Sequence, residues 1–316
     1  MGWLLLNPEA RALAAIGLLL SLGGCASSEV GGVPHGPATA PAPVLADLQM
    51  VRVPGGLFRM GSSTGAENVR PPHLAIVQPF RLSRYEITVG QFSQFVRETG
   101  YQTDAELNHG EGPGCRISGA AGQPAAFQAG ASWRNPGFAQ TDRHPVVCVS
   151  YNDSHAFLAW LNGRSLHHYR LPSEAEWEFS ARADSASETA ADSCAQQAPA
   201  APGTSATTVA CSNLEAQPVG SSKPNRFGLY DLLGNASELV EDCWHPDYKH
   251  APRSGTAWAS ACDASQQITV VGAWISGASG VSETRTSIGP ASADDHLGFR
   301  IAENIESTGS ASTSHY

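Results

Sequence analysis

Charge is scarce in this chain of 316 residues, of which only 15% are Asp, Glu, Lys or Arg. Acidic side chains outnumber basic ones 29 to 19, for a formal net charge of −10. No two basic residues adjoin, which argues against nucleic acid, because that partner needs clustered cations to displace its counterions. Neither H-E-x-x-H nor a P-loop occurs, and no two cysteines stand in C-x-x-C spacing. Those absences remove support for zincin, nucleotide-phosphate, zinc-ribbon and thioredoxin-like chemistry. The apolar run Ala12–Leu22 is shorter than the about 20 residues a helix needs to span a bilayer.

Glycine and proline are plentiful, 32 and 21 residues, so turns and irregular loops should dominate over helix bundles. The apolar fraction, 41%, can fill one sizeable core. Arg11 precedes the run Ala12–Leu22, and small residues lead into Cys25 in Leu22-Gly23-Gly24-Cys25. This resembles a bacterial lipoprotein signal. The resemblance implies cleavage after residue 24, acylation of Cys25, and a lipid anchor in the cell envelope, at an outer membrane facing the periplasm. Ala26–Gln49 has no Phe, Trp or Tyr and carries Pro34, Pro37, Pro41 and Pro43. Such a stretch cannot bury enough apolar surface to offset its conformational entropy, so residues 25–49 read as a semi-extended tether. The remaining six cysteines, Cys115, Cys148, Cys194, Cys211, Cys243 and Cys262, are an even set that suits disulfides in an exported chain. Their pairing is open on spacing alone.

From residue 50 to 302 the pattern is one continuous globular domain, followed by a polar tail over 303–316. Met50–Met60 alternates as a strand broken at Pro54-Gly55-Gly56, and Ala75–Glu86 reads as further strand. Thr88 with Gln91 forms a capping box for a helix that Gly100 ends, and Val89, Phe92, Phe95 and Val96 make its buried stripe. A second helix is expected over about Asn152–Leu161. A third starts after Ser173, boxed by Glu176.

These motifs carry a resemblance. Met50–Gly61 (MVRVPGGLFRMG), Arg84–Phe95 (RYEITVGQFSQF) and His144–Trp160 (HPVVCVSYNDSHAFLAW) are followed by Arg170–Arg182 (RLPSEAEWEFSAR). Pro224–Glu238 (PNRFGLYDLLGNASE) and Gly298-Phe299-Arg300 complete the set. In that order they resemble the formylglycine-generating enzyme (sulfatase-modifying factor) family. The resemblance implies an α+β fold, a variant of the C-type lectin fold with little regular secondary structure. It also implies disulfides Cys115–Cys148, Cys194–Cys211 and Cys243–Cys262.

Members of that family that oxidise a substrate cysteine hold copper(I) on two cysteines, and soft thiolates suit that ion. At the matching positions this chain has Ser276 and Val281, the supporting serine is Ala273, and no cysteine follows Cys262. Copper is therefore not expected. The family's calcium ligands map to Asp231, Gly234, Ala236 and Glu238, hard oxygen donors of the right kind. A further calcium site would begin at Asn213 and Leu214, where the ligand loop is shortened. Two functional expectations follow. The first is a lipid-anchored binding or regulatory module for an envelope protein or peptide, contacted through the Val271–Ser287 surface. The second is a divergent enzyme of the same family, with oxidase-type or siderophore-maturation-like chemistry or as a formylglycine-generating oxidase, for which Ser276, Arg285 and His296 are the polar catalytic candidates. Trp133, Trp160, Trp177, Trp244, Trp258 and Trp274 read as core, with Trp258 and Trp274, in Gly-rich loops, the first candidates for a ligand platform instead.

Overall fold

A computed structural model of the chain describes residues 48–119, 124–183, 215–260, 262, 267–272 and 285–305. Cys25, Cys194, Cys211, Asn213, Leu214, Ala273, Trp274, Ser276 and Val281 lie outside the described residues, as do the leader and most of the tether.

The expected alternation resolves into strands β1 (Met50–Val53) and β2 (Gly56–Met60). Ala75–Glu86 is not one strand but the end of β3 (His73–Val77) and the whole of β4 (Phe80–Ser83). Pro79 sits between them, and a residue without an N–H cannot continue a ladder. β5 (Cys115–Ile117) pairs with β6 (Ala126–Gln128), and β7 (Tyr169–Arg170) follows later. The chain then contributes β8 (Ser237–Cys243), β9 (Ile268–Val271), β10 (Thr286–Ile288), β11 (Leu297–Gly298) and β12 (Ala302–Asn304). Two four-stranded sheets result, in the orders β1-β4-β12-β7 and β10-β9-β8-β11, beside the two-stranded ribbons β2-β3 and β5-β6.

Helix α1 (Val89–Thr99) has the expected Thr88–Gln91 box, and Gly100 closes it in the left-handed conformation at φ 70°. Sequence reading missed α2 (Asp104–Leu107), a single turn boxed by Thr103 and Glu106. Helix α3 (Tyr151–Asn162) begins one residue before the expected start because Ser150 and Asp153 form its box. Helix α4 (Glu174–Ala181) keeps the Ser173–Glu176 box. The α2 and α3 starts are cross-linked, since Ser150 Oγ donates to Asp104 at 2.6 Å and Asp153 accepts from the Asp104 amide at 3.0 Å.

One apolar cluster joins α1 and α3 through Phe92, Phe95, Phe157 and Leu161 to Leu239, Phe299 and Ile301. A second joins α4 through Trp177 to Val53, Val77, Phe80, Leu229, Val240 and Val271. The last strand runs past the expected domain end at 302. Glu303 is buried, pairs with Arg81 at 3.2 Å and meets His167, so the first residues of the supposed tail are sheet. Two of the implied disulfides are present, Cys115–Cys148 and Cys243–Cys262. Loops of that length are stabilised by roughly 2–4 kcal/mol each. Among the described residues no helix is long and apolar enough to cross a membrane.

Candidate functional site

Arg300, fully buried, is where the motif residues converge. Its Nε donates to both Glu238 oxygens at 2.9 and 2.7 Å, and its Nη2 donates to Glu238 Oε1 at 2.7 Å. The same guanidinium donates to the carbonyls of Ser83 and Tyr230, tying β4 and the Gly228–Asp231 turn to β8. Trp177 Nε1 adds a bond to Glu238 Oε2 at 2.8 Å. The preceding glycine is obligatory, because a Cβ on Gly298 would lie 2.5 Å from the Val146 carbonyl oxygen.

Three buried carboxyl groups surround this one guanidinium. Glu86 receives Asn235 Nδ2 on one oxygen, while its other oxygen has no hydrogen-bond partner and lies 4.0 Å from Arg300. Burial, reinforced by Asp231 and Glu238, holds the Glu86 carboxyl well above its ordinary range. Asp231, in the left-handed region at φ 58°, accepts from Gly220 N at 2.6 Å and from the Ser222 hydroxyl at 2.5 Å. The donor set is oxygen-rich, with three carboxyl groups to one guanidinium, but the Asp231 and Glu238 oxygens already accept from protein donors, with which a hard cation would have to compete. Glu238 would have to share such an ion with Arg300.

The candidate Arg285 lies in a second locus. Its Nε donates to Glu174 Oε1 at 2.7 Å, and Nη1 donates to the Asn68 and His245 carbonyls. The guanidinium lies over the rings of Trp244 and Tyr248, at 4.3 and 4.9 Å from their centroids. Tyr248 Oη donates to the same Glu174 oxygen at 2.6 Å. Asp242 accepts from the Glu174 and Trp258 amides, and burial with nearby Glu174 pushes its carboxyl up to about 7. Trp258 is stacked on His245 at 3.5 Å, so this expected ligand platform is already covered on one face. These contacts make Arg285 a structural clamp across the Asn68 turn, α4 and the loop after β8.

The candidate His296 lies in a third locus. Its Nε2 is 2.6 Å from Ser118 Oγ, and the Asp295 carboxylate accepts from the Ser118 amide and hydroxyl. Burial lowers the His296 pKa, favouring the neutral ring. The sequence expectation that no G-x-S-x-G occurs is corrected by residues 61–65 (GSSTG), which carry that spacing with Ser63 at its serine position. They lead from β2 into a bend and a 3-10 turn, not a helix, and Ser62 Oγ accepts from the Gly65 amide. That is not the strand-to-helix context of a nucleophile elbow. Sequence reading also missed Glu86, Ser118, Glu174, Asp242 and Tyr248. Glu86 and Glu174 lie within the quoted motifs, whereas Ser118, Asp242 and Tyr248 lie outside them and carry no signal in the sequence. Among the described residues no group of three His, Cys, Asp or Glu side chains converges on a metal.

Two outcomes follow. Arg300→Met, which leaves the buried carboxyl groups without their counter-charge, should cost about 3–5 kcal/mol in urea unfolding. Asp242 has a raised folded pKa, so its contribution to stability is present below its unfolded value of about 4 and is lost as pH rises through about 7. The stability penalty of Asp242→Asn should therefore shrink between pH 5 and pH 8. A penalty independent of pH would contradict this.

Comparison with known proteins places these loci in a family. Residues 37–305 match the sulfatase-modifying factor enzyme 1-like domain. The chain is 30% identical to a formylglycine-generating enzyme of Streptomyces coelicolor, over 86% of this chain and 94% of that protein. It is also 30% identical to the inactive C-alpha-formylglycine-generating enzyme 2 of Mus musculus, over 82% and 86%. Among solved structures it is similar to PvdO from Pseudomonas aeruginosa, with TM-score 0.60 and 28% identity over 81% of this chain and 94% of that one. On this evidence the chain belongs to the formylglycine-generating enzyme, or sulfatase-modifying factor, family.

Proposed function

We propose that this protein is a lipid-anchored, extracytoplasmic member of the family that uses a C-type-lectin-like frame as a binding or regulatory module without copper. One observation carries the reading. The positions that supply copper thiolates in active relatives are Ser276 and Val281, and no cysteine follows Cys262. All four described cysteines are tied in disulfides. A hydroxyl and an isopropyl group cannot replace two thiolates as ligands for a soft ion. The copper group does not fit the residues present.

What the chain retains is a rigid frame. Arg300 and Arg285 each bind three separate segments, so loops between them are displayed on fixed ends, a suitable arrangement for recognition. The expected ligand is an envelope protein or peptide meeting the Val271–Ser287 segment, although Val271 and Arg285 at its ends are buried in the frame and not on the expected surface. Calcium, held by Asp231, the Gly234 and Ala236 carbonyls and Glu238, would supply the missing positive charge beside Glu86 and stiffen the turn.

The opposing reading is catalysis by other chemistry, and the short Ser118–His296 contact is the observation in its favour. A Ser118→Ala chain that folds normally yet loses an envelope phenotype would favour it. Otherwise, co-expression with a sulfatase should leave the substrate cysteine unconverted, and metal analysis should return calcium without copper. Aldehyde formation on the sulfatase would overturn the binding-module reading.

A further inference from the structure

The β2–β3 ribbon has a face that the rest of the fold leaves uncovered. In its register Leu57 stands opposite Ile76, and Arg59 stands opposite Leu74. Alternation sends Met60, Ala75 and Val77 inward, where they are buried. The other set points out, and Leu57, Leu74 and Ile76 are 63%, 53% and 48% exposed. Directly paired and next-but-one residues on one face are neighbours, so these three form a contiguous aliphatic patch.

The charges carried by the ribbon and by its covering segment at Arg253 are of one sign. Arg59 is exposed on the same face, and neither strand contains Asp or Glu. The free edge of β3 is covered by the segment at Arg253, whose carbonyl accepts from the Ile76 amide at 2.8 Å, and Arg253 itself is exposed. In a chain of net charge −10, an aliphatic patch edged by two arginines is a local exception.

We propose that this face rests on an anionic lipid bilayer, with Leu57, Leu74 and Ile76 in the interface and Arg59 and Arg253 against phosphate headgroups. The inference rests on the lipid-anchored reading. Residues 26–47 would then span about 25 Å as a flexible coil and about 70 Å as extended polyproline II, so the domain stays near the surface. The tether delivers the chain to β1, and Leu57 follows β1 by one tight turn. Acidic surfaces elsewhere are repelled by the same lipids, which selects this face. An acyl anchor gives attachment, while a second contact of apolar and basic side chains sets orientation.

The test is hydroxyl-radical footprinting of the mature full chain, purified from membranes and reconstituted into phosphatidylethanolamine–phosphatidylglycerol vesicles, with intact-mass analysis of the same sample. Leu166, 100% exposed, and Leu107, 41% exposed, serve as internal references. The expected result is an acylated Cys25 and at least a threefold fall in labelling of Leu57, Leu74 and Ile76 relative to detergent, with Leu166 unchanged. An acylated chain whose three residues label as in detergent would overturn the inference and leave the anchored reading standing. An unmodified Cys25 would overturn both. Protection that grows with protein-to-lipid ratio would assign the face to a second copy of the chain and also overturn the proposal.

Discussion

One buried guanidinium organises this protein. Arg300 spends its hydrogen bonds on Glu238, the Ser83 carbonyl and the Tyr230 carbonyl, and so joins the end of β4, the turn before Asp231 and strand β8. Taking a charge out of water is costly unless it is paired and fully bonded, so the elements that meet it have few alternative arrangements. Several motif residues acquire a reason from this one contact. Gly298 lets the strand pass the Val146 carbonyl, Glu238 supplies the counter-charge, and Trp177 donates to that carboxylate from the α4 side.

Arg285 repeats the device with different partners. Glu174 on α4, the Asn68 turn and the loop after β8 are held by a cation between two aromatic rings. The Cys243–Cys262 disulfide closes the loop that carries His245, Tyr248 and Trp258. Under the proposed function the family's redox segment has changed in sequence while these polar joints are kept.

Much of the fold was legible because its signals are local. The boxes Thr88–Gln91 and Ser173–Glu176, the Gly100 terminator and the stripe of Phe92 and Phe95 act within a few residues of their own helices. The Pro79 break inside Ala75–Glu86 is also visible in the sequence, since a residue without an N–H interrupts a ladder. The single turn at Asp104–Leu107 is too short to show a period. Strand β12 escaped because Glu303 and Asn304 look like solvated tail until partners from β4 and β7 are in place.

The candidate site divided along the same line. The family resemblance pointed to Asp231 and Glu238, but not to Arg300 engaging Glu238 or to Glu86 as a third buried carboxyl group. Arg285 and His296, grouped as catalytic candidates by proximity in sequence, bind different partners, Glu174 for one and Ser118 for the other. Such pairings connect residues far apart along the chain, and one sequence carries no signal for them.

The proposed function requires a frame that persists without copper thiolates. A direct measurement is competition for copper(I), supplied without thiol reductant, between the mature chain and a chromophoric chelator, with thiols counted after denaturation. The account expects the chelator to take all the metal and the thiol count to be zero. One copper retained per chain, held by groups other than free cysteine, would contradict it.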